Sequence, residues 1–311
     1  MTTVFIDGSS GTTGLQIHER LSQRSELTLL QVPYELRHEE AVRKEALNAA
    51  DVVFLCLPDD AADVSASLVE NDHTVVIDTS TGHRTAPGWV YGLPELDGQK
   101  ERIAAAKRIA NPGCHASGFI ALSAPLVKAG VLSPEAKLHC TSLTGYSGGG
   151  KKMIAQYEQA ERDPYLDAPR MYGLAQTHKH LREMQVISGL VHEPGFSPVV
   201  ADFYSGIETI ITLFEDEVCG GIEAIKEVYR SVYHTGLIRY ETNTDESGFL
   251  SAAAFAGRDD MQVSVDGNEK RILLTARFDN LGKGACGAAI QNMNLVLGLP
   301  EDTGLRIGEK G

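Results

Sequence analysis

Cys114 is the side chain best placed for nucleophilic chemistry, and its neighbours give the reason. Asn111, Pro112 and Gly113 make a tight polar entry before it. After it, Ala116, Phe119, Ile120, Leu122, Leu126 and Val127 recur at helical spacing. The thiol therefore stands at or beside the start of a helix. Unpaired N–H groups and the positive dipole end of a helix favour the thiolate there. A thiolate is the form that attacks a carbonyl carbon. The same pattern also suits a small apolar residue at a poorly capped helix start, so the other motifs must separate the two.

Gly8-Ser9-Ser10-Gly11-Thr12-Thr13-Gly14 follows an apolar run and opens a second helical pattern. Glycines allow a sharp turn and a close approach to a pyrophosphate, whose charge meets the helix N–H groups. The hydroxyls of Ser9, Ser10, Thr12 and Thr13 add donors. The spacing departs from GxGxxG, but a strand before and a helix after favour a dinucleotide site over a plain βα turn. Near the end of the second strand, Glu35 suits the ribose hydroxyls of NAD and Arg37 suits the 2′-phosphate of NADP; both also suit a solvated surface.

Three further clusters carry chemistry-capable groups. His178-Lys179-His180-Leu181-Arg182-Glu183, read as helix, makes His178 and Arg182 neighbours, and His180 and Glu183 neighbours. Such a helix offers an imidazole as acid/base beside a carboxylate, or only a solvated face. Gly145 to Lys151 fits GxxxxGK, but Lys152 stands where a P-loop needs Ser or Thr, so an NTPase is rejected. What is left is a glycine-rich connection with Lys151 and Lys152 near an anionic substrate, or an ordinary loop. Asp78-Thr79-Ser80-Thr81-Gly82-His83-Arg84 closes a strand, where ligands gather in open α/β sheets, and Arg84 there either holds an anion or decorates a loop.

The elements that must position these groups alternate at first. Strands are expected at Thr3–Asp7, Leu27–Val32, Asp51–Leu57 and Thr74–Asp78, with helices at Gly11–Arg20, Glu39–Asn48 and Ala61–Val69. That order predicts a doubly wound parallel α/β sheet. Beyond Cys114 come a strand at Lys137–Thr144, a helix within Gly148–Ala160, a strand at Gly206–Phe214 and a helix at Gly221–Tyr233. A hairpin at Met261–Val265 and Arg271–Phe278 turns around Asp266-Gly267-Asn268, and a helix follows at Gly284–Leu297. The second part reads as α+β, with a short junction near Asn111.

A chain of 311 residues suffices for two domains. The net charge of −14, with no basic cluster, argues against nucleic-acid or anionic-membrane binding. Five widely spaced cysteines with no CxxC argue against a disulfide framework and a structural zinc, and Cys56 and Cys140 read as core thiols. No metal is expected. The chain starts on a strand without a basic or apolar leader, and no apolar run approaches the ~18 residues of a membrane span. The simplest expectation is a cytoplasmic protein.

Taken in order, GSSGTTG, FLCLP, DTSTGHR, NPGCHASG, TGYSGGGKK, THKHLRE and DNLGKGACGAAIQNMNL resemble the N-acetyl-gamma-glutamyl-phosphate reductases, in the shorter of their two sequence types. The resemblance covers nearly the whole chain, and the aspartate-semialdehyde dehydrogenases are similar at greater distance. It implies an NADP-binding Rossmann-type domain of residues 1–113 plus 283–311 and an α+β catalytic and oligomerisation domain of 114–282. The resemblance makes Cys114 the nucleophile, and by the family's HxHxxE pattern, matched by His178, His180 and Glu183, His178 is the acid/base and Glu183 its orienting carboxylate. Longer members have Pro before that Glu, where this chain has Arg182, so His180 remains an alternative to His178. NADPH would be cradled by Gly8, Ser10, Gly11, Thr12, Thr13 and Gly14, with Arg37 and Pro58 beside it. Arg84 and Asn111 would bind substrate. The implied reaction is NADPH-dependent reduction of N-acetyl-L-glutamyl 5-phosphate to the 5-semialdehyde through a Cys thioester, in arginine biosynthesis, by a dimer or tetramer. The rivals are a reductase of aspartyl or aminoadipyl phosphate and a non-catalytic dinucleotide-sensing protein.

Overall fold

The computed structural model describes residues 1–308, in two compact units. The first comprises Met1–Pro94, Gly98–Pro112 and Ala285–Leu305; the second comprises Glu95–Asp97, Gly113–Gly284 and the described residues from Arg306 onward. Residues 309–311, which the sequence reading gives to the first domain, lie outside the described residues.

The first unit is a six-stranded parallel sheet in the order β2-β1-β3-β4-β6-β5. Its strands are β1 (Thr2–Asp7), β2 (Leu27–Leu30), β3 (Val52–Leu55), β4 (Val75–Asp78), β5 (Val90–Tyr91) and β6 (Arg108–Ala110). Helices α1 (Thr12–Leu21), α2 (Glu40–Ala49), α3 (Asp59–Ser67) and α4 (Gln99–Ala104) connect them. β3 and β4 are buried along their whole length, as strands covered on both faces must be. One side of the sheet packs Ile17, Leu21, Ala289 and Met293 against Val4, Ile6, Phe54 and Ile77; the other packs Leu47 and Ala62 against Phe5, Val53 and Val76. β2 stops two residues short of the sequence reading, because Pro33 bends the chain into a single 3-10 turn at Tyr34–Leu36.

The second unit begins with α5 (Cys114–Lys128), which buries every residue from His115 to Leu126 and is apolar all round, as a central core helix is. Pro125 lacks the N–H that would bond the Ala121 carbonyl, and the Tyr233 hydroxyl donates to that oxygen instead, at 2.7 Å. A mixed seven-stranded sheet, in the order β11-β12-β13-β10-β7-β9-β8, carries α5 on one face. In chain order the elements are β7 (His139–Gly145), α6 (Gly150–Glu158), β8 (Arg170–Met171), α7 (Leu181–Ser188), β9 (Gly195–Ala201), β10 (Ile207–Phe214), α8 (Gly221–Val232), β11 (Ile238–Tyr240), β12 (Met261–Asn268) and β13 (Arg271–Phe278). A π-turn at Gly282–Cys286 then leads into α9 (Gly287–Val296) of the first unit.

Three expectations need correction. The hairpin turns at Glu269-Lys270, not at Asp266-Gly267-Asn268, because Asn268 Oδ1 accepts from the N–H groups of both Lys270 and Arg271 and closes the loop there. The His178–Glu183 segment is not one helix: α7 starts at Leu181, and a turn precedes it. β9 has no counterpart in the sequence reading, since Pro198 lies inside it; the Pro198 carbonyl still accepts from Tyr172 N at 3.0 Å. No described helix is long and apolar enough to cross a membrane.

Candidate active site

In the first unit, the glycine loop joins β1 to α1. Gly8 holds φ +88°, and a Cβ there would lie 2.3 Å from the Cys56 carbonyl oxygen; a Cβ on Gly14 would lie 2.5 Å from the Gly8 carbonyl. Both positions therefore require glycine for the turn and for the packing of α1 against it. The helix is capped by Gly11 with no side chain on its first N–H groups, and Thr12 and Thr13 open it. Beside the loop is a cavity of about 500 Å³, lined among others by Gly8, Ser10, Tyr34, Arg37, His38 and Pro58. Its floor carries Asp7, whose carboxylate is neutralised by Arg43 at 2.8 Å and bonded by Ser65 at 2.7 Å. Arg37 stacks over the Tyr34 ring at 3.5 Å and lines the cavity; Glu35 does not. A loop that only glycine fits, a bare helix start and a cationic rim suit the phosphates of a dinucleotide, including a 2′-phosphate.

Arg84 and Asn111, read as substrate ligands, have structural partners in this unit. Arg84 is 7% exposed, with Nε donating to the Asn111 carbonyl at 3.0 Å and Nη2 to the Thr79 carbonyl at 3.3 Å. Asn111 Nδ2 donates to the Ala285 carbonyl, and its Oδ1 accepts from Asn292 at 3.2 Å. The loop before Arg84 is closed by Asp78, which accepts from Ser80 and His83, while the His83 ring stacks on Trp89 at 3.9 Å. Arg84 thus steadies the carbonyl three residues before the thiol.

In the second unit, Cys114 is the first residue of α5, capped by the Gly113 backbone alone. The Gly113 N–H donates to Glu183 Oε1 at 2.7 Å, and Glu183, in the first turn of α7, is 1% exposed. The carboxylate read as an orienter for His178 therefore holds the entry to the nucleophile helix. His178 Nδ1 accepts from the His180 N–H at 3.2 Å, so the neutral ring carries its proton on Nε2 and is a donor there. The rings of His178 and His180 are 4.7 Å apart, and His178 is 5.1 Å from Phe196. Lys151 and Lys152 lie exposed on α6, which starts at Gly150.

The sequence reading missed His115 and Tyr172. His115 is 6.0 Å from the His178 ring, and burial with the His178 charge lowers it to about 3. Its Nε2 is 2.6 Å from the Tyr172 hydroxyl, whose own ionisation is pushed up by burial and by the Cys114 charge. The signal for His115 is a polar residue in an otherwise apolar helix; Tyr172 has none. Of the other thiols, burial pushes Cys56 up to about 12 and Cys140 well above its ordinary value, which makes both inert. Among the described residues no group of His, Cys, Asp and Glu could hold a metal ion.

Two family models match the chain. Residues 30–106 match the model of the semialdehyde dehydrogenase NAD binding domain, and residues 114–280 match that of the semialdehyde dehydrogenase dimerisation domain. Fold and site together define an oxidoreductase of the semialdehyde dehydrogenase class. Solved structures share the fold: aspartate semialdehyde dehydrogenase II from Vibrio cholerae, complexed with ASA, at 17% identity and TM-score 0.69 over 96% of this chain and 98% of that one. The Candida albicans aspartate semialdehyde dehydrogenase, solved with NADP, gives 14% identity and TM-score 0.66 over 95% and 99%. Sequence relatives are nearer. N-acetyl-gamma-glutamyl-phosphate reductase 2 of Nostoc sp. is 42% identical over 97% of this chain and 98% of its own, and that of Pseudomonas putida is 44% identical over 95% and 96%. The chain belongs to the N-acetyl-gamma-glutamyl-phosphate reductase family.

Proposed function

We propose that this protein reduces N-acetyl-L-glutamyl 5-phosphate to N-acetyl-L-glutamate 5-semialdehyde, releasing phosphate, in arginine biosynthesis. The observation that carries the reading is Cys114 at the first, side-chain-free turn of a buried helix, with its entry held by Glu183. The Cys114 thiolate attacks the acyl carbon, the carbon–oxygen bond to phosphate breaks, and a thioester remains on the sulfur. Oxygen charge developing at that carbon lies near the N–H groups of the α5 start, which act as an oxyanion hole worth a few kcal/mol. When bound, NADPH supplies the hydride that brings the acyl group to the aldehyde level. The carbon–sulfur bond then breaks and the thiolate is restored.

His178 is the proposed proton carrier. With the His180 N–H on Nδ1, the neutral ring is a donor at Nε2, and Nδ1 takes up a proton once that 3.2 Å bond opens. Gly8, Ser10, Gly11, Thr12, Thr13 and Gly14 would hold the cofactor phosphates, with Arg37 and Pro58 at the cavity wall. Arg84 and Asn111 serve the substrate through the loop they steady. In the same proposal, residues 1–113 with 283–311 form the cofactor domain and 114–282 the catalytic domain, and the protein is a cytoplasmic homo-oligomer that handles a small acyl phosphate. The test is phosphate-dependent NADP⁺ reduction with N-acetylglutamate semialdehyde. Wild type should turn over and Cys114→Ser should not; activity retained in the variant overturns the mechanism, and activity only with aspartate or aminoadipate semialdehyde overturns the substrate.

A further inference from the structure

The segment Asp279–Gly284 of the second unit, which follows β13, carries a buried ion pair that no step above uses. The Lys283 side chain is wholly buried, and its Nζ meets Glu95 Oε1 at 2.6 Å, with the Glu95 side chain 5% exposed. A buried ammonium and carboxylate are costly to take out of water and costlier to separate, so such a pair holds to one geometry. The rest of the segment is held as firmly. Asp279 Oδ1 accepts from the Leu281 and Gly282 N–H groups at 2.7 and 2.9 Å, and its Oδ2 accepts from Ser205 at 2.8 Å. Asn280 Oδ1 accepts from the Gly206 N–H at 2.8 Å, and its Nδ2 donates to Ser147, in the glycine-rich connection before α6, at 3.1 Å.

Gly284, next after Lys283, is where this segment meets the thiol residue. A Cβ there would lie 3.0 Å from Cys114 Cβ, 3.1 Å from the Asp279 carbonyl oxygen and 3.3 Å from the Phe278 ring. Carbon atoms do not pack that closely, so one neighbour would have to give way. The carbonyl is tied down, since it accepts the Gly284 N–H at 2.9 Å. The Phe278 ring is fully buried and wedged on its other edge against α5, where a Cβ on Gly118 would lie 2.9 Å from it. Cys114 alone of the three is only half-buried. A methyl at position 284 would therefore displace the nucleophile.

We infer that Gly284 is a positioning residue whose bare backbone forms the wall against which the Cys114 side chain is set, and that the Lys283–Glu95 ion pair holds this wall in place. This rests on the reading of Cys114 as the nucleophile. A thiolate that attacks one carbon needs direction as well as charge, and a misplacement of about 1 Å costs on the order of 10²-fold in rate. Glu183 fixes the backbone before the thiol, and Gly284 fixes the space beside its Cβ. The two act on different bonds of the same residue, so neither replaces the other.

The experiment is iodoacetamide alkylation of Cys114 across pH in the full-length protein, read on the Cys114 peptide by mass spectrometry, together with steady-state turnover. Alkylation separates the thiol midpoint from the limiting rate of the thiolate. Gly284→Ala should lower kcat and that limiting rate by about tenfold each, with NADPH affinity within about twofold. Lys283→Met combined with Glu95→Gln removes both charges without stranding either, and should lower both rates by less. Adding Gly284→Ala to that pair should cost less than the product of the separate effects, because both changes act on one wall. If either variant does not fold, Glu95→Asp, which keeps both charges and shortens the reach to the ammonium, carries the result: lowered rates support the wall, and wild-type rates overturn it. Gly284→Ala with wild-type kcat and limiting rate overturns the inference, whatever its Tm, and effects that multiply overturn the part given to the ion pair. A Cys114→Ser protein that still turns over removes the nucleophile reading and this inference with it. An inactive Cys114→Ser beside an unaffected Gly284→Ala removes this inference alone.

Discussion

Two helices of this protein start the same way and are finished differently. α1 and α5 are both capped by a glycine with no side chain on the first N–H groups. At α1 the approach stays open: Ser9 and Ser10 are exposed, and a cavity of about 500 Å³ lies beside the loop. At α5 side chains distant in sequence close in, with Glu183 on the Gly113 N–H and the His115–Tyr172 pair alongside. A helix start meant for a soluble, multiply charged ligand leaves its donors to that ligand. One that tunes a covalent nucleophile has its surroundings built in before substrate arrives.

Substitutions can break that contrast. The largest effect is expected from Cys114→Ser, which should lower kcat on the order of 10⁴-fold or more while cofactor affinity, measured by nucleotide fluorescence, stays within about twofold. Parallel loss of both would mean that the two helix starts are not separable. Next comes the pH dependence that His115 imposes. With a folded value of about 3 against an ordinary 6.5, the unfolded chain binds the extra proton between those values, so stability rises with pH across that window and falls as acid is added. The slope should reach about 1.4 kcal/mol per pH unit. Denaturant unfolding of His115→Phe between these limits should lack that contribution; an unchanged slope would show that His115 is not held neutral.

Gly8→Ala sharpens the other side. The clash with the Cys56 carbonyl and the left-handed φ should cost about 1–3 kcal/mol, read as a lower Tm and weaker NADPH binding, with the alkylation of Cys114 unaffected. A variant that binds NADPH normally would remove the glycine loop from the cofactor site. Comparable in stability cost is Glu183→Ala, which strands the buried Gly113 N–H and should cost about 1–3 kcal/mol with a lower kcat. Glu183→Gln keeps an acceptor and should recover most of the stability; if it does not, the carboxylate charge rather than the hydrogen bond matters.

The open site was the more legible in sequence. Strand, glycine turn and helix lie within twenty residues, so local pattern carries the loop at Gly8–Gly14, and the βα alternation through Asp78 follows from the same periodicity. The overlong second strand came from weighing apolar residues above Pro33, and the third, read as Asp51–Leu57, is likewise shorter, at Val52–Leu55. Around Cys114 the helix and its first residue were legible, while the partners were not. Glu183 is 70 residues from Gly113, and Tyr172 is 57 from His115. Their meeting depends on β9, which Pro198 hides from any strand pattern, and on a turn at His178–His180 that helical spacing misrepresents.

By itself, the sequence determined that a thiol would open a buried helix and that a glycine turn would open another, because helix starts and tight turns are set by a few adjacent residues. Only the tertiary structure decided what holds the start of that helix within the second unit: the Glu183 carboxylate on the Gly113 N–H before the thiol, and the Tyr172 hydroxyl on the neutral His115 after it. Those choices rest on strand register and on packing between segments far apart in the chain, where one residue of slip would turn each side chain to the other face.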